Sequence, residues 1–389
     1  MTEIILRSPV RSVGRFRCVS KAFCSLLTDP RFAKNHLGLN LRTLNRKVIL
    51  SLNNLFAVDI DSIGDGSEGN RKFPAVELDY PLKQERDLLP VMKTRTARYT
   101  IWSDAEMAYS DYDQSRVVVV GSSNGLLCVS SDDDIVFLYN PTTGESKRIP
   151  DLPESMRPKL VNKDMVAYDI HGFGFDALKD DYKVVKFVVS GSIGNVRNNE
   201  LEASVYSLRA DSWRRICNLR YKHVHPTSGV HLNGAIHWIV KLKEDPNKRV
   251  VAAFDLETEE FREIPLPDEA GECNHPFMKL DVGSLKGSLC VSYSCHVVHD
   301  DIWVMNEYGL QSSWCKIRIS ILYTSMKPIC STKNDKEVVL MIDRSLVLYN
   351  FECDTWRALR IRKVKLGDGF EGNTYVESLI SPNSYGVES

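Results

Sequence analysis

After Arg46 the sequence repeats one short pattern. A strand-like run ends in Asn, Asp or Ser, a polar turn follows, and a large side chain then opens another strand-like run. Four of these large side chains are aromatic: Trp213, Phe261, Trp314 and Trp356. They are separated by 48, 53 and 42 residues. A self-similar spacing of about 40–50 residues indicates an array of equivalent modules.

A second mark precedes several of these modules. Asn124-Gly125, Asn233-Gly234 and Lys286-Gly287 each separate two strand-like runs, where glycine accommodates the positive φ of a tight hairpin. Each module then contains about four short strands. Four strands in a period of about 40–50 residues is the proportion of a β-propeller blade. A two-sheet sandwich is the structural alternative, but a sandwich does not require this period.

Five units fit between Val117 and Arg362. A sixth combines residues 48–50 and 55–58 with a late strand at 375–380, so that the two chain ends share one blade. Such a blade closes the ring and removes free strand edges. The sequence therefore predicts a mainly β protein, a kelch-like propeller of about six blades.

The first 46 residues are different in kind. Their apolar residues recur at spacings of three and four, which is typical of a helix: Ile5, Pro9, Val13, Phe16, Val19, Phe23, Leu26 and Leu27. Ser8-Pro9 interrupts this stripe and Thr28-Asp29-Pro30 ends it, because proline does not continue a helix. We expect two or three short helices. A segment of roughly 40 residues buries too little surface to fold alone, so the stripe rests on a partner protein or on the next domain.

Charge divides the chain at the same point. Residues 1–46 carry nine Lys/Arg and two Asp/Glu, a net charge of +7, whereas the remainder carries 41 and 49, a net charge of −8. The basic helices lack interleaved aromatic residues for stacking on bases, which favours an acidic protein partner or a solvated face over nucleic acid.

The predicted organisation follows from these patterns. Residues 1–46 form a helical segment, residues 47–382 form the propeller with residues 83–116 as an inserted polar loop, and residues 383–389 form a tail. No apolar run reaches the roughly 18 residues of a membrane-spanning helix. The ten cysteines show no Cys-x-x-Cys pair and the sequence has no Asn-x-Ser/Thr site. We therefore expect free thiols and a location in the cytoplasm, the nucleus or both.

The stretch from Pro9 to Phe23, followed by Leu26 to Phe32, resembles the second half of an F-box, with a dozen positions matching in order. Two departures stand out. The leading Leu-Pro and most of the first helix are absent, and Phe23 replaces the usual Trp. Both are expected to reduce the surface that an F-box presents to its Skp-type adaptor.

The rest of the chain resembles the F-box-associated interaction domain of plant F-box proteins, which are often grouped with F-box/kelch-repeat proteins. The paired glycines of strict kelch repeats are missing. The matching segments are 122–126, 139–143, 172–176, 180–185, 233–238 and 301–305.

This resemblance implies a substrate-recognition subunit of a Skp-cullin-F-box ubiquitin ligase, which brings a target protein to the ligase and has no catalytic group or cofactor of its own. Its partners are a Skp-type adaptor, through it a cullin-RING ligase, and a protein target, with no nucleic acid and no membrane. The alternative is a propeller interaction module whose shortened F-box binds the adaptor poorly. The resemblance assigns adaptor binding to Pro9, Val10, Val13, Phe16, Arg17, Val19, Phe23, Leu26 and Leu27.

Other candidate sites are weaker. Gly172-x-Gly174 lacks the third glycine and the following helix of a dinucleotide motif, which favours relief of crowding between strands. Residues 290, 295, 296 and 299 supply Cys and His for zinc, but Cys290 and Cys295 alternate to opposite faces of a strand. The acidic pair Asp180-Asp181 is typical of a turn. No nucleophile motif is present, and the sequence predicts neither a catalytic nor a metal site.

Overall fold

A computed structural model describes residues 2–40, 46–52, 54–59, 72–81, 83, 99–103, 106–109, 117–130, 135–157, 165–192, 200–224, 227–245, 247–267, 279–295, 298–321, 323, 326–332, 335–343, 345–362, 364, 366 and 370–385. Within these ranges the chain begins with four short helices and continues as strands, all but one pair of which are antiparallel. The helices are α1 Thr2–Leu6, α2 Val10–Phe16, α3 Lys21–Thr28 and α4 Pro30–Asn40.

The helix boundaries follow local chemistry. Pro9 separates α1 from α2, and the side chain of Ser20 caps α3 by accepting a hydrogen bond from the Phe23 backbone N–H at 3.2 Å. Helix α3 ends at Thr28, as predicted. Pro30 then begins another helix, because proline is tolerated in a first turn where its missing N–H is not needed. The segment consequently has four helices where two or three were expected.

The strands follow in chain order. The first five are β1 Arg46–Ser51, β2 Leu55–Asp59, β3 Lys72–Glu77, β4 Tyr99–Ser103 and β5 Glu106–Tyr109. Strands β4 and β5 form an antiparallel hairpin inside the stretch 83–116, which was expected to be an inserted loop. Apart from this hairpin and Lys83, that stretch lies outside the described residues.

Five consecutive sheets make up most of the propeller. Blade 1 contains β6 Val118–Ser123, β7 Leu126–Ser130, β8 Val136–Tyr139 and β9 Ser146–Arg148. Blade 2 contains β10 Met165–Asp176, β11 Asp181–Ser192, β12 Glu200–Ser207 and β13 Ser212–Ile216. Blade 3 contains β14 Tyr221–Val224, β15 Val230–Leu232, β16 Ala235–Leu242, β17 Arg249–Asp255 and β18 Phe261–Pro265. Blade 4 contains β19 Lys279–Leu285, β20 Ser288–Cys295, β21 Val298–Met305 and β22 Trp314–Arg318. Blade 5 contains β23 Met326–Ser331, β24 Val338–Ile342, β25 Ser345–Asn350 and β26 Thr355–Arg362.

The sixth blade joins the two ends of the chain, as predicted. Strand β27, Glu371–Val376, pairs antiparallel with β1, so that Leu50 lies opposite Gly372 and Val48 lies opposite Thr374. The blade order is β27-β1-β2-β3. The late strand lies four residues earlier than expected. Beyond it, Tyr385 in the predicted tail is buried against blades 1 and 2.

Inner strands β6, β10, β15, β19, β23 and β27 surround a common axis. The hairpins that join the first five of these strands to the next strand of their blades turn at one end of the propeller, which we call the turn face. Glycine was expected to take the positive φ in these turns, yet the preceding residue does so as well: Asn124 has φ 51° and Gly125 has φ 83°. Two consecutive positive φ values define a type I′ turn, whose twist matches that of the strands.

Candidate adaptor-binding surface

The N-terminal helices pack on the turn face over blades 1 and 2. Val13 and Leu27 are fully buried, and Ile5 and Val10 are 5 % and 4 % exposed. They share one hydrophobic cluster with propeller residues, among them Leu126, Leu138, Tyr206, Leu379 and Tyr385. The helical stripe was expected to rest on a partner protein or on the next domain, and in the structure it rests on the next domain.

Ion pairs connect the basic helices to the propeller. Arg11 Nε lies 3.0 Å from Glu377 Oε1, and Arg17 Nη1 lies 3.3 Å from Glu145 Oε1. Lys34 pairs with the carboxylate of Asp180. Glu377 is almost completely buried and also pairs with Lys47. Part of the positive charge of this segment thus faces carboxylates of the same chain.

A buried histidine fixes the helices to one another. His36 in α4 lies with Nε2 2.9 Å from the backbone carbonyl oxygen of Ser8, between α1 and α2. Burial lowers the pKa of His36, while the bond to the Ser8 carbonyl opposes that shift. The neutral ring therefore donates its Nε2 proton to the carbonyl, which ties α4 to the turn between α1 and α2.

The nine residues that the resemblance assigns to the adaptor fall into three groups. Val10, Val13 and Leu27 are buried. Phe16, Arg17, Phe23 and Leu26 are half-buried. Pro9 is exposed, and Val19 is 66 % exposed. An adaptor that contacts the docked helices meets only the second and third groups.

The half-buried group is locally organised. The rings of Phe16 and Phe23 have their centroids 5.9 Å apart, so that Phe23, at the position usual for Trp, packs against α2. Arg17 Nη2 donates to the carbonyl oxygen of Leu27 at 3.3 Å, which connects the end of α2 to α3. The outward side of α2 and α3 is therefore a mixed aromatic and aliphatic surface around the exposed Val19.

Sequence reasoning missed the propeller contacts of Arg11 and Lys34. Their carboxylate partners, Glu377 and Asp180, are 366 and 146 residues away. The only signal in the sequence was the opposite net charge of the two parts of the chain. That signal predicts attraction but not which residues meet.

The other candidate chemistry has structural explanations where the residues are described. A Cβ at Gly172 or Gly174 meets Trp238 or His231 within 3 Å, so these glycines relieve crowding, as interpreted from the sequence. Asp181 accepts hydrogen bonds from Ser207 Oγ and the Arg209 N–H within the blade.

The residues weighed as zinc ligands are only partly described. Burial raises the pKa of the Cys290 thiol to about 12, and His296 lies outside the described residues. Across the described ranges, no three His, Cys, Asp or Glu side chains are arranged to hold a metal ion. None of the helices described there is long and apolar enough to cross a membrane.

Known proteins resemble the chain over most of its length. Residues 97–381 match the F-box associated beta propeller domain. F-box protein CPR1 of Arabidopsis thaliana is 26 % identical, with 93 % of this chain and 83 % of that protein covered. F-box/kelch-repeat protein At3g23880 of the same plant is 28 % identical, with 98 % of this chain and 94 % of that protein covered.

Among solved structures, Aleuria aurantia lectin with bound alpha-methyl-L-fucoside is similar, with a TM-score of 0.40, 9 % identity, and 84 % and 98 % of the two chains covered. The chain belongs to the plant-type F-box proteins that carry an F-box associated β-propeller domain.

Proposed function

We propose that the chain is the substrate-recognition subunit of a Skp-cullin-F-box ubiquitin ligase. The observation that carries the proposal is the pairing, in one chain, of F-box-like helices with the propeller of this family. The helices bind a Skp-type adaptor and the propeller holds a target protein. Because the ligase assembly supplies the chemistry, this subunit acts by raising the effective concentration of the target beside the conjugating enzyme.

The contacts between helices and propeller support this mechanism. A shared hydrophobic cluster and the pairs Arg11–Glu377 and Arg17–Glu145 hold the helices against blades 1 and 2. An adaptor on the outward side of the helices is then held in a fixed orientation to a target on the propeller. A fixed orientation raises effective concentration more than a flexible tether does.

Substitution of Val19 tests the proposal. Val19 is 66 % exposed on the helices, so a charged residue is tolerated by the fold but opposes burial against an adaptor. We expect Val19→Asp to weaken binding of a purified Skp-type adaptor at least about tenfold, since burial of a valine alone contributes about 1.5 kcal/mol. Isothermal titration calorimetry with the full chain measures this.

Val76→Asp is the matched control, because Val76 is 62 % exposed on β3, the outermost strand of blade 6. This variant should bind the adaptor as the wild type does. Absence of adaptor binding by the wild-type chain, or equal binding by the Val19→Asp variant, contradicts the proposal. Deletion of residues 1–46 is a poorer test, since it strips Val13 and Leu27 from the propeller core.

One observation favours the alternative of an interaction module that binds the adaptor poorly. Val10, Val13 and Leu27, three of the nine assigned residues, are buried within this chain. An adaptor that needs them competes with the propeller for the same side chains. The affinity of the wild-type chain for the adaptor distinguishes the two functions. In the case of competition, the apparent affinity equals the intrinsic affinity multiplied by the fraction of molecules whose helices are undocked.

A further inference from the structure

The outermost strands of blades 2, 4 and 5 carry a tryptophan at the same position of the repeat, and two of these tryptophans bind the preceding blade. Trp213 Nε1 in blade 2 donates to the carbonyl oxygen of Pro150, just after blade 1, at 2.7 Å. Trp314 Nε1 in blade 4 donates to the carbonyl oxygen of Pro265, at the end of blade 3, at 2.9 Å. The propeller therefore uses one recognition geometry twice, in which an indole N–H binds the carbonyl of a proline.

The two segments that these tryptophans bind are alike in sequence. In each, an isoleucine precedes the proline, a second proline follows two or three residues later, and an aspartate lies nearby. They read Ile149-Pro150-Asp151-Leu152-Pro153 and Ile264-Pro265-Leu266-Pro267-Asp268. Pro153 has φ −53° and ψ 145°, which is close to the polyproline II conformation. Such segments dock on aromatic side chains at a low entropic cost, because their backbone is already extended.

The third tryptophan, Trp356 in blade 5, has no such partner. Four residues after the first residue of the outermost strand, blade 1 has Pro150 and blade 3 has Pro265, but blade 4 has Arg318. Trp356 is 52 % exposed and forms no hydrogen bond or ring contact with any described residue. Its indole ring and N–H are therefore accessible to a segment of another chain.

The surroundings of Trp356 are positively charged. Side chains of β26 alternate between two sides, and Leu359 and Ile361 are buried on one of them. Trp356, Arg360 and Arg362 are exposed on the other side, and β26 contains no Asp or Glu. This charge favours an acidic ligand. Trp356 is the only aromatic residue of β26, whereas stacking of successive bases uses successive aromatic side chains, so a protein segment is favoured over nucleic acid.

We propose that Trp356 binds an extended Ile-Pro segment with acidic residues in another protein. The indole N–H donates to the proline carbonyl, as Trp213 and Trp314 do within the propeller, and the arginines of β26 face the carboxylates of the segment. The occupant comes from another protein because both Ile-Pro segments of this chain already bind tryptophans. Its identity as the ligase target rests on the proposed function, whereas binding of the segment itself does not.

A peptide titration with the full chain tests the site directly. The chain has six tryptophans and is labelled with 5-fluorotryptophan, so that fluorine NMR reports on each of them, and Trp356→Phe identifies the signal of Trp356. The probe is acetyl-Ile-Pro-Asp-Leu-Pro-Glu-amide, the sequence of residues 149–154. We expect a saturable shift of the Trp356 signal alone. The peptide with both prolines replaced by alanine should bind at least about fivefold more weakly, because its free backbone is less extended.

Substitution of Trp356 tests which residue binds the peptide. In calorimetric titrations, Trp356→Ala should weaken binding at least about tenfold, since an aromatic anchor is lost. The matched control is Leu178→Ala, because Leu178 is 74 % exposed in the β10–β11 turn, and this variant should bind as the wild type does. Trp356→Phe keeps an aromatic ring without the N–H donor and should bind with intermediate affinity. Circular dichroism verifies that each variant is folded.

Three results would overturn the proposal. The first is the absence of a saturable shift of the Trp356 signal, and the second is equal peptide affinity in the wild type and Trp356→Ala. The third is a thymidine octamer that shifts the same signal at lower concentrations than the peptide does, since that assigns the surface to nucleic acid. None of these titrations contains the adaptor, so a negative result leaves the ligase proposal to the Val19 test.

Discussion

Trp238 has the largest volume among the fully buried side chains of the described residues. Its indole fits beside the innermost strands because two neighbouring positions lack a Cβ. A Cβ at Gly172 would lie 2.3 Å from Trp238 Cζ2, and one at Gly229 would lie 2.4 Å from Cε2. Phe187 packs edge-on against the same ring, with centroids 5.0 Å apart. The Gly-x-Gly motif therefore reflects the size of a neighbouring side chain and not a bound phosphate.

Replacement of Gly172 by alanine should destabilise the propeller by about 1–3 kcal/mol, the usual cost of adding a methyl group to a packed core. Gly14→Ala in α2 is the opposite case, since nothing lies within 4 Å of its Cβ position. Because alanine is the better helix former, this control should be neutral or stabilising by about 0.5–1 kcal/mol. Urea unfolding of both variants measures the difference, and equal effects would contradict the packing argument.

At the scale of elements, contacts between blades repeat with the sequence period. Trp213 Nε1 donates to the carbonyl oxygen of Pro150 at 2.7 Å, and Trp314 Nε1 donates to that of Pro265 at 2.9 Å. Each bond joins an outer strand to the end of the preceding blade. Trp356, at the equivalent position in β26, is 52 % exposed, and β26 instead pairs in parallel with β3. Phe261 in blade 3 packs against Phe187 of blade 2, with ring centroids 5.9 Å apart. The aromatic anchors that predicted the array are thus inter-blade contacts in three of the blades.

A polar network joins blades 3 and 4. His237 Nδ1 lies 3.0 Å from the carbonyl oxygen of Val230, and its Nε2 lies 2.6 Å from the hydroxyl of Tyr308. Arg262 donates to that hydroxyl at 2.9 Å. Neutral His237 satisfies this arrangement by donating from Nδ1 to the carbonyl and accepting at Nε2 from Tyr308. A protonated ring has no acceptor for the Tyr308 proton, so the network holds only the neutral form.

The pH dependence of unfolding follows from this arrangement. Burial is the largest cause that lowers the pKa of His237, from 6.5 to about 4. As the pH falls below 6.5, His237 binds a proton in the unfolded chain, but in the folded chain it does so only near pH 4. The free energy of unfolding therefore decreases between these two pH values. We expect His237 to account for about 2 kcal/mol of the stability lost between about pH 7 and about pH 5. The loss should be smaller by that amount in His237→Gln, measured by urea unfolding at both pH values, and an unchanged difference would refute it.

For the whole molecule, the sequence predicted the features that depend on residues at fixed short spacings, and it did not predict contacts between residues far apart in the chain. The strand period, the hairpins at Asn124-Gly125 and Asn233-Gly234, and ring closure through β27 and β1 all depend on residue types at fixed spacings, which the sequence displays directly. The docked position of the helices depends on contacts such as Arg11 with Glu377, 366 residues apart, which no local spacing encodes.

If the adaptor needs the buried Val10, Val13 and Leu27, docking of the helices on the turn face competes with adaptor binding. Lys34 pairs with Asp180 across this interface, and its Nζ lies 5.2 Å from the centroid of the Tyr385 ring. Both partners are 38 % exposed, so the pair contributes at most about 1 kcal/mol. Lys34→Glu places two negative charges together and should release the helices in a larger fraction of molecules. Because 1 kcal/mol corresponds to about fivefold in an equilibrium constant, adaptor affinity should rise by up to about fivefold.

The charge-swapped double variant, Lys34→Glu with Asp180→Lys, separates docking from a direct effect of residue 34. It restores an attractive pair across the interface, and adaptor affinity should return towards that of the wild type. If instead Lys34→Glu leaves affinity unchanged, the adaptor binds the docked helices through Val19 and its neighbours, and burial of Val13 and Leu27 imposes no cost on assembly. Calorimetric titrations of the three proteins with the same adaptor therefore determine whether the adaptor binds helices that have left the propeller or helices that stay docked on it.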